Sequence, residues 1–195
     1  MFGGLNSYAY GLGNPMKYVD PWGLWSTAAH EYLIRRYGER NGLTEAQIQD
    51  MMRGSRYADS LPFQDDDHSY MHAMSSDSLS RGEACGRANQ FIQDGLFNPR
   101  HRPGRSNRNR NGTYFNRGMG MHTVMDSTSP AHQGFQHWSN DQIPRHGPDS
   151  FMGIDRNHTE EGLTALLDNP GLIEQTLNLM DDAMNGAGLN CGCSQ

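Results

Sequence analysis

The sequence predicts an all-α protein, a compact bundle of about five to seven helices. Apolar residues recur at intervals of three and four along much of the chain, whereas the alternation typical of strands is scarce. No repeat of solenoid length is visible. The chain has 195 residues, of which 35% are hydrophobic, so we expect one modest core with long loops.

The first half of the chain predicts two helices followed by one long or broken helix. Residues 26–40 carry apolar side chains at helical spacing. Thr44-Glu-Ala-Gln47 is a capping box, which predicts the start of a second helix ending near Gly54. Apolar residues recur at helical intervals again over residues 66–93. Residues 95–115 have the composition of a loop.

The second half predicts three more helices. The first covers residues 116–129, although Gly118 and Gly120 weaken its first turn. Residues 133–157 contain several proline and glycine breakers and are predicted as turn and loop. An Asn-Pro pair then predicts the start of the last helix. The two final helices are expected over residues 158–167 and 170–184.

The run from His122 to His132 carries three side chains of the kinds that bind metal ions. His122 and Asp126 are four residues apart, so they lie on one face of the predicted helix. Pro130 ends that helix and lets His132 fold back toward them. Imidazole and carboxylate together suit zinc better than calcium or magnesium. The alternative is a surface pair, since the chain has 9 histidines.

Other parts of the chain carry ligands of the same kinds. His30 lies early in the first predicted helix, and Asp59 ends a short polar segment. His68 and His72 are four residues apart in the next helical stretch. If five or more such ligands from separate helices met, they would form a site for more than one metal ion.

Four short motifs follow one another in a characteristic order. They are Trp25-Ser-Thr-Ala-Ala-His30, Arg56-Tyr-Ala-Asp59, Tyr70-Met-His72-Ala, and His122-x3-Asp126-x3-Pro130-x-His132. Together they resemble the ligand series of the zinc-dependent phospholipase C and P1-type nuclease superfamily. The resemblance covers residues 25–135 as sparse motifs. It implies an all-helical enzyme that holds two or three zinc ions and hydrolyses phosphodiesters.

The resemblance also implies a role for each motif residue. In the superfamily the terminal amine and carbonyl of an N-terminal Trp bind zinc, and the implied metal ligands here are Trp25, His30, Asp59, His68, His72, His122, Asp126 and His132. Asp59 would also bridge two metals or orient the attacking hydroxide, which makes it the catalytic candidate. His68 is either an additional ligand or a neighbour of His72.

The last ligand pair of the superfamily has no close counterpart in this chain. Its members supply the pair as His-x3-Glu or His-x3-Asp after the central motif. His158 precedes Glu161 by three residues, and His146 precedes Asp149 by three. We prefer His158 with Glu161; otherwise His146 works with Asp149, or the site holds fewer than three metals.

A second signature ends immediately before Trp25. Residues 4–24 include the closing sequence Asp20-Pro21-Trp-Gly23-Leu24. This stretch resembles the end of the core domain of Rhs-repeat proteins, whose hollow β-shell encloses a C-terminal toxin and cleaves itself after that sequence. Cleavage after Leu24 would make Trp25 the new N-terminus, as the zinc superfamily requires. The expected organisation is the end of an Rhs core over residues 1–24 and a toxin domain over residues 25–195.

An Rhs context implies partners and a route of delivery. The expected partners are a cognate immunity protein, the Rhs shell and a secretion apparatus that delivers the toxin into a competitor cell. The sequence leaves open whether the toxin works in the periplasm or in the cytoplasm. No apolar run approaches the length of a membrane-spanning helix, and no signal peptide is visible.

Arginines are concentrated in a stretch rich in Asn, Gly and Pro, while Lys17 is the only lysine. One interpretation is a segment that grips phosphate, since guanidinium groups bind phosphate through two parallel hydrogen bonds. Its candidate contacts are Arg100, Arg102 and Arg105. The alternative is a solvated loop. The net charge of −6 weakens any model in which the whole surface attracts nucleic acid.

The three cysteines give little information about disulfide pairing or metal binding. Cys85 lies in a predicted helix, whereas Cys191 and Cys193 belong to a glycine-rich tail that we expect to fray. Three cysteines cannot all pair within one chain, and the spacing of the last two is poor for a disulfide. A zinc-binding role for the tail stays open.

Three functions remain in view. Phospholipid hydrolysis is preferred, because the net charge is acidic and a polar-aromatic run from His132 to Trp138 suits a lipid interface. The five-residue step from Trp25 to His30 is closer to the spacing of P1-type nucleases, so a zinc nuclease acting on DNA or RNA is the alternative. A toxin without enzymatic activity is the third.

Overall fold

The computed structural model describes residues 26–98, 112–130, 132–137 and 162–191. These ranges form six α-helices: α1 (Thr27–Arg40), α2 (Glu45–Ala58), α3 (Arg81–Phe97), α4 (Thr113–Asp126), α5 (Leu163–Leu167) and α6 (Pro170–Met184). Two short 3₁₀-helices, Leu61–Phe63 and Asp66–His72, connect α2 to α3. No β-strand occurs within these ranges, so the all-α prediction is confirmed.

Side-chain caps explain where four of the helices begin. The hydroxyl of Thr44 accepts a hydrogen bond from the backbone N–H of Gln47, and the Gln47 side-chain oxygen accepts one from the backbone N–H of Thr44. This is the capping box that the sequence predicts. Ser26, Ser80 and Asn169 cap α1, α3 and α6 in the same general way.

The stretch predicted as one long or broken helix is broken. The 3₁₀-helix Asp66–His72 ends at Ala73, whose φ of 53° is left-handed. The chain then runs in irregular backbone to Ser80, where α3 begins. A residue other than glycine in this conformation costs free energy. That cost is offset here because Ala73 is fully buried in the core.

Helix α4 lies at the centre of the bundle. It packs mainly against α2 and α3, and it also contacts α1, α6 and the second 3₁₀-helix. Its residues from Gly118 to Asp126 are all buried. Almost every direction around α4 is therefore occupied by another element, so side chains on it project into the protein interior.

Glycines allow α4 to approach its neighbours closely. A Cβ atom added to Gly118 would overlap the backbone carbonyl of Met51 on α2, and one added to Gly54 would overlap the carbonyl of Phe115 on α4. On the other side, a Cβ on Gly95 would lie 2.8 Å from the carbonyl oxygen of Asn116. Gly118 and Gly120 do not interrupt the helix, since α4 is continuous from Thr113 to Asp126. The second helix was predicted to end near Gly54, but α2 continues to Ala58. Gly54 serves the contact with α4 and does not end the helix.

The C-terminal tail is attached to α3. After a turn at Gly186, where φ is 92°, the backbone N–H of Leu189 donates to Asn89 Oδ1 at 2.6 Å. A disulfide joins Cys85 to Cys191, with their Cα atoms 5.9 Å apart. The expected fraying is thus wrong as far as Cys191, and this cysteine is not available as a zinc ligand. Cys193 lies outside the described residues.

The turn after α4 packs against the strand-like segment after the second 3₁₀-helix. The Ser75 backbone N–H donates to the carbonyl of Gln136 at 3.0 Å, and the Ser75 hydroxyl donates to the carbonyl of Phe135 at 2.9 Å. Phe135 is buried beneath this contact. Among the helices described, none combines the length and the apolar character needed to cross a membrane.

Candidate metal centre

Five predicted ligands from four elements of the fold meet in the interior. His30 belongs to the first turn of α1, Asp59 follows α2, and His72 ends the second 3₁₀-helix. His122 and Asp126 lie one turn apart on α4. The central position of α4 brings its two ligands within reach of the other three.

The polar atoms of these side chains face one another. His30 Nε2 lies 2.9 Å from Asp126 Oδ1. His122 Nε2 lies 3.1 Å from Asp126 Oδ2, and His72 Nδ1 lies 3.4 Å from the same oxygen. The facing nitrogens of His72 and His122 are 3.1 Å apart. Three imidazoles therefore surround one carboxylate.

The ligand atoms form two overlapping groups. One consists of His30, His122 and Asp126, and the other of Asp59, His72 and His122; within each group the ligand atoms lie within 4.8 Å of one another. Both groups share His122. Such atoms can close around a metal ion with small side-chain movements.

Burial differs between the members of the cluster. His122 and Asp126 are fully buried, and His30 and His72 are nearly so. Asp59 is only partly buried. Solvent or a substrate therefore comes closest to the cluster at Asp59.

The protonation states suit metal binding. Burial lowers the pKa of both His72 and His122, so the two imidazoles are neutral near pH 7. Burial raises the pKa of Asp126, but the neighbouring imidazoles of His122 and His30 outweigh it and hold that pKa well below its usual range. Metal ions bind neutral imidazole and ionised carboxylate.

The cluster passes a direct test of fit for a metal cation. Asp126 Oδ2 is buried, and none of the described residues gives it a hydrogen bond of good geometry. A buried carboxylate oxygen without such a partner is costly unless a cation balances it. The donor set is nitrogen and oxygen without sulfur, which suits zinc and related transition metals. The residues present thus fit a divalent metal ion of this kind.

His68 does not join the cluster. Its ring nitrogen Nδ1 lies 2.7 Å from Asp65 Oδ1, and a third of its side chain is exposed (33%). The physical reason is the helix type, since residues 66–72 form a 3₁₀-helix with three residues per turn. At this pitch His68 and His72 point about 120° apart. In an α-helix the same four-residue spacing would place the two side chains on one face.

His132 lies against the cluster but outside both ligand groups. It is buried, and its Nδ1 donates to the backbone carbonyl of His72 at 2.7 Å. The contact ties the turn after α4 to the end of the second 3₁₀-helix. His132 therefore supports the position of His72.

Several predicted site residues lie outside the described residues. They are Trp25, the pair His158 and Glu161, the alternative pair His146 and Asp149, the cleavage residues Asp20, Pro21, Gly23 and Leu24, and the arginines Arg100, Arg102 and Arg105.

Three contacts around the ligands were not predicted from the sequence. Ser55 Oγ lies 3.2 Å from His122 Nδ1. Gln64 Nε2 donates to Asp59 Oδ1 at 3.1 Å, and His72 Nε2 donates to the backbone carbonyl of Phe63 at 3.3 Å. The spacing Ser55-x3-Asp59 was the available signal for the first, because Ser55 lies about one helical turn before Asp59, the residue that follows α2.

Comparisons with known proteins gave no match. No family model fits the chain, and no curated protein or solved structure is significantly similar to it. Function is therefore inferred from the site itself.

Proposed function

We propose that this chain is a zinc-dependent phosphodiesterase of the phospholipase C and P1 nuclease kind, and that phospholipids are its substrates. The observation that supports this most is the convergence of His30, His72 and His122 on Asp126, with Asp59 at the more exposed side. A buried carboxylate needs a charged or hydrogen-bonding partner or a bound cation, and a cation placed among these side chains would supply one.

The two ligand groups divide the work of holding metal ions. In this proposal His30, His122 and Asp126 would hold one ion, and His72 and Asp59 would contribute to a second. Bound zinc supplies a water acidic enough to lose a proton near neutral pH, together with positive charge against the phosphoryl oxygens. Asp59, the most accessible ligand, orients the attacking water, and Gln64 holds the Asp59 carboxylate in place.

The biological context follows from the two sequence resemblances. In this proposal residues 1–24 are the end of an Rhs core, cleavage follows Leu24, and the freed amine of Trp25 adds a ligand. The pair His158 and Glu161 completes the ligand set, and His132 supports it through its contact with the backbone of His72. The toxin is delivered into a target cell, in its periplasm or its cytoplasm, and a cognate immunity protein protects the producer.

The choice between phospholipid and nucleic acid as the substrate rests on the net charge of the chain and on the interval between Trp25 and His30. A net charge of −6 disfavours a protein whose partner is a long polyanion. The short step from Trp25 to His30 favours the second candidate, a zinc nuclease. Arg100, Arg102 and Arg105 can contact phosphate in either substrate.

One set of assays separates these candidates. The zinc content of the purified chain is measured by mass spectrometry, and the same preparation is given phosphatidylcholine and phosphatidylethanolamine liposomes, plasmid DNA and RNA. We expect bound zinc and release of phosphorylated headgroups, both abolished by Asp126→Asn. Asp182→Asn is the matched control, because Asp182 is an exposed aspartate on α6 that lies outside the ligand cluster.

The possible results have distinct meanings. Cleavage of nucleic acid alone would establish the second candidate. Toxicity that survives His122→Ala and Asp126→Asn would establish a toxin without metal-dependent catalysis. A folded, zinc-free protein inactive on every substrate after zinc is added would overturn the proposal.

A further inference from the structure

Ser55 lies on the outer side of His122, away from the ligand cluster. It belongs to α2, is almost fully buried (2% exposed), and its Oγ is 3.2 Å from His122 Nδ1. The neighbouring Gly54 is where α2 approaches α4 most closely. That approach is what brings a side chain as short as serine within reach of the imidazole.

The two nitrogens of His122 have different surroundings. Nε2 faces Asp126 Oδ2 and His72 Nδ1 at 3.1 Å each, so it is the atom directed into the cluster. A neutral imidazole carries hydrogen on one nitrogen and a lone pair on the other. For Nε2 to bind a cation, Nδ1 must carry the hydrogen, and Ser55 Oγ is placed to accept it.

His72 is held in the same way by a different group. Its Nε2 lies 3.3 Å from the backbone carbonyl of Phe63, which can only accept a hydrogen bond. The hydrogen of His72 is therefore on Nε2, and the lone pair of Nδ1 points into the cluster. Two imidazoles of the centre are thus oriented by oxygen atoms on their outer sides.

We propose that Ser55 is a positioning residue of the metal centre, whose hydroxyl accepts the hydrogen of His122 Nδ1 and so keeps Nε2 free to bind the metal. The inference rests on the zinc centre proposed above. Without this hydroxyl the buried Nδ1–H loses its acceptor, and the tautomer with hydrogen on Nε2, the atom that faces Asp126, becomes favoured. That tautomer cannot bind metal through Nε2.

Zinc affinity tests the proposal directly. The dissociation constant is measured by competition with a chromophoric chelator for the wild type, Ser55→Ala and Ser55→Thr. We expect Ser55→Ala to bind zinc about 10- to 100-fold more weakly, because outer contacts to metal-binding histidines have effects of this size. Ser55→Thr retains the hydroxyl and should restore most of the affinity.

A second buried hydroxyl provides the control for stability. Thr176 is fully buried on α6, and its Oγ1 lies 2.8 Å from Thr128 Oγ1, a contact outside the cluster. Thr176→Ala should lower the melting temperature while leaving zinc affinity unchanged. The visible absorption of the cobalt-loaded protein adds a readout of coordination, and it should change in Ser55→Ala but not in Thr176→Ala.

The outcomes separate this inference from the proposed function. Wild-type affinity in Ser55→Ala, with an unchanged cobalt spectrum, overturns the role of Ser55 and leaves the zinc centre intact. A wild-type chain that binds no zinc overturns both. If Ser55→Ala does not fold, Ser55→Thr is compared with Ser55→Val, which has the same shape but lacks the hydroxyl; equal zinc affinity in these two variants also overturns the proposal.

Discussion

His30 Nε2 lies within hydrogen-bond distance of Asp126 Oδ1, at 2.9 Å, across 96 residues of sequence. The contact joins α1 to α4 inside the core, where both side chains are almost inaccessible to solvent. The candidate ligands His30 and Asp126 therefore also hold α1 and α4 together. Metal binding and folding should therefore be coupled.

Removal of metal should lower the stability of the protein. Zinc at about 100 times its dissociation constant stabilises a folded chain by about 2.7 kcal/mol, which corresponds to about 5–10 °C in melting temperature for a domain of this size. Differential scanning calorimetry with a chelator, followed by added zinc, measures the shift. Asp126→Asn is the control, since a chelator should no longer change its melting temperature. Equal melting temperatures for the wild type with and without chelator would contradict the coupling.

Substitution of His68 should leave zinc binding unchanged. His68 lies beside Asp65 at the surface, about 120° around the 3₁₀-helix from His72. We expect His68→Ala to keep the zinc content of the wild type, whereas His72→Ala should reduce it. Metal analysis of both purified variants makes the comparison. Loss of zinc in His68→Ala would mean that residues 66–72 adopt a different helix type when metal is bound.

A methyl group at the crossing of α2 and α4 should destabilise the fold. Gly118→Ala forces the two backbones apart at Met51, and we expect a loss of about 1–3 kcal/mol in the free energy of unfolding. Denaturant unfolding measures it. Gly86→Ala is the matched control on α3, because a Cβ there meets no atom within 4 Å.

The control should change stability in the opposite direction. Alanine in an exposed helix is favoured over glycine by about 0.5–1 kcal/mol, so Gly86→Ala should be slightly stabilising. Equal effects of the two substitutions would show that α2 and α4 are not in backbone contact.

Loss of the disulfide should also destabilise the protein. Cys85 and Cys191 are separated by 106 residues, and removing a bond that closes so long a loop costs about 2–5 kcal/mol. Thermal unfolding with and without reductant measures the effect. Reductant should lower the melting temperature of the wild type and leave that of Cys85→Ser unchanged. An equal response of both proteins would argue against this pairing.

Local features of the structure were predictable from the sequence. The capping box at Thr44 and the Asn-Pro start of α6 depend only on neighbouring residues, and both are found. The same holds for His122 and Asp126, whose spacing on one helix brings their side chains together. Predictions of this kind succeed because the contacts lie within a turn or two of chain.

Features that depend on packing were less predictable. The spacing of His68 and His72 has a different meaning in a 3₁₀-helix than in an α-helix, and sequence alone does not distinguish the two over seven residues. Ser55 contacts His122 only because two glycines let α2 and α4 approach closely. The partner of Cys85 was equally hidden, since spacing disfavours a bond between Cys191 and Cys193 but does not show which cysteine, if either, pairs with Cys85.

The bond between Cys85 and Cys191 closes a covalent ring that contains all of α4. A protease that nicks the backbone between residues 98 and 112 would separate the half bearing His30 and His72 from the half bearing His122 and Asp126. Because both halves stay tethered through sulfur, such a nicked protein retains every ligand of the cluster in one molecule. Only cleavage followed by reduction would let the two fragments diffuse apart.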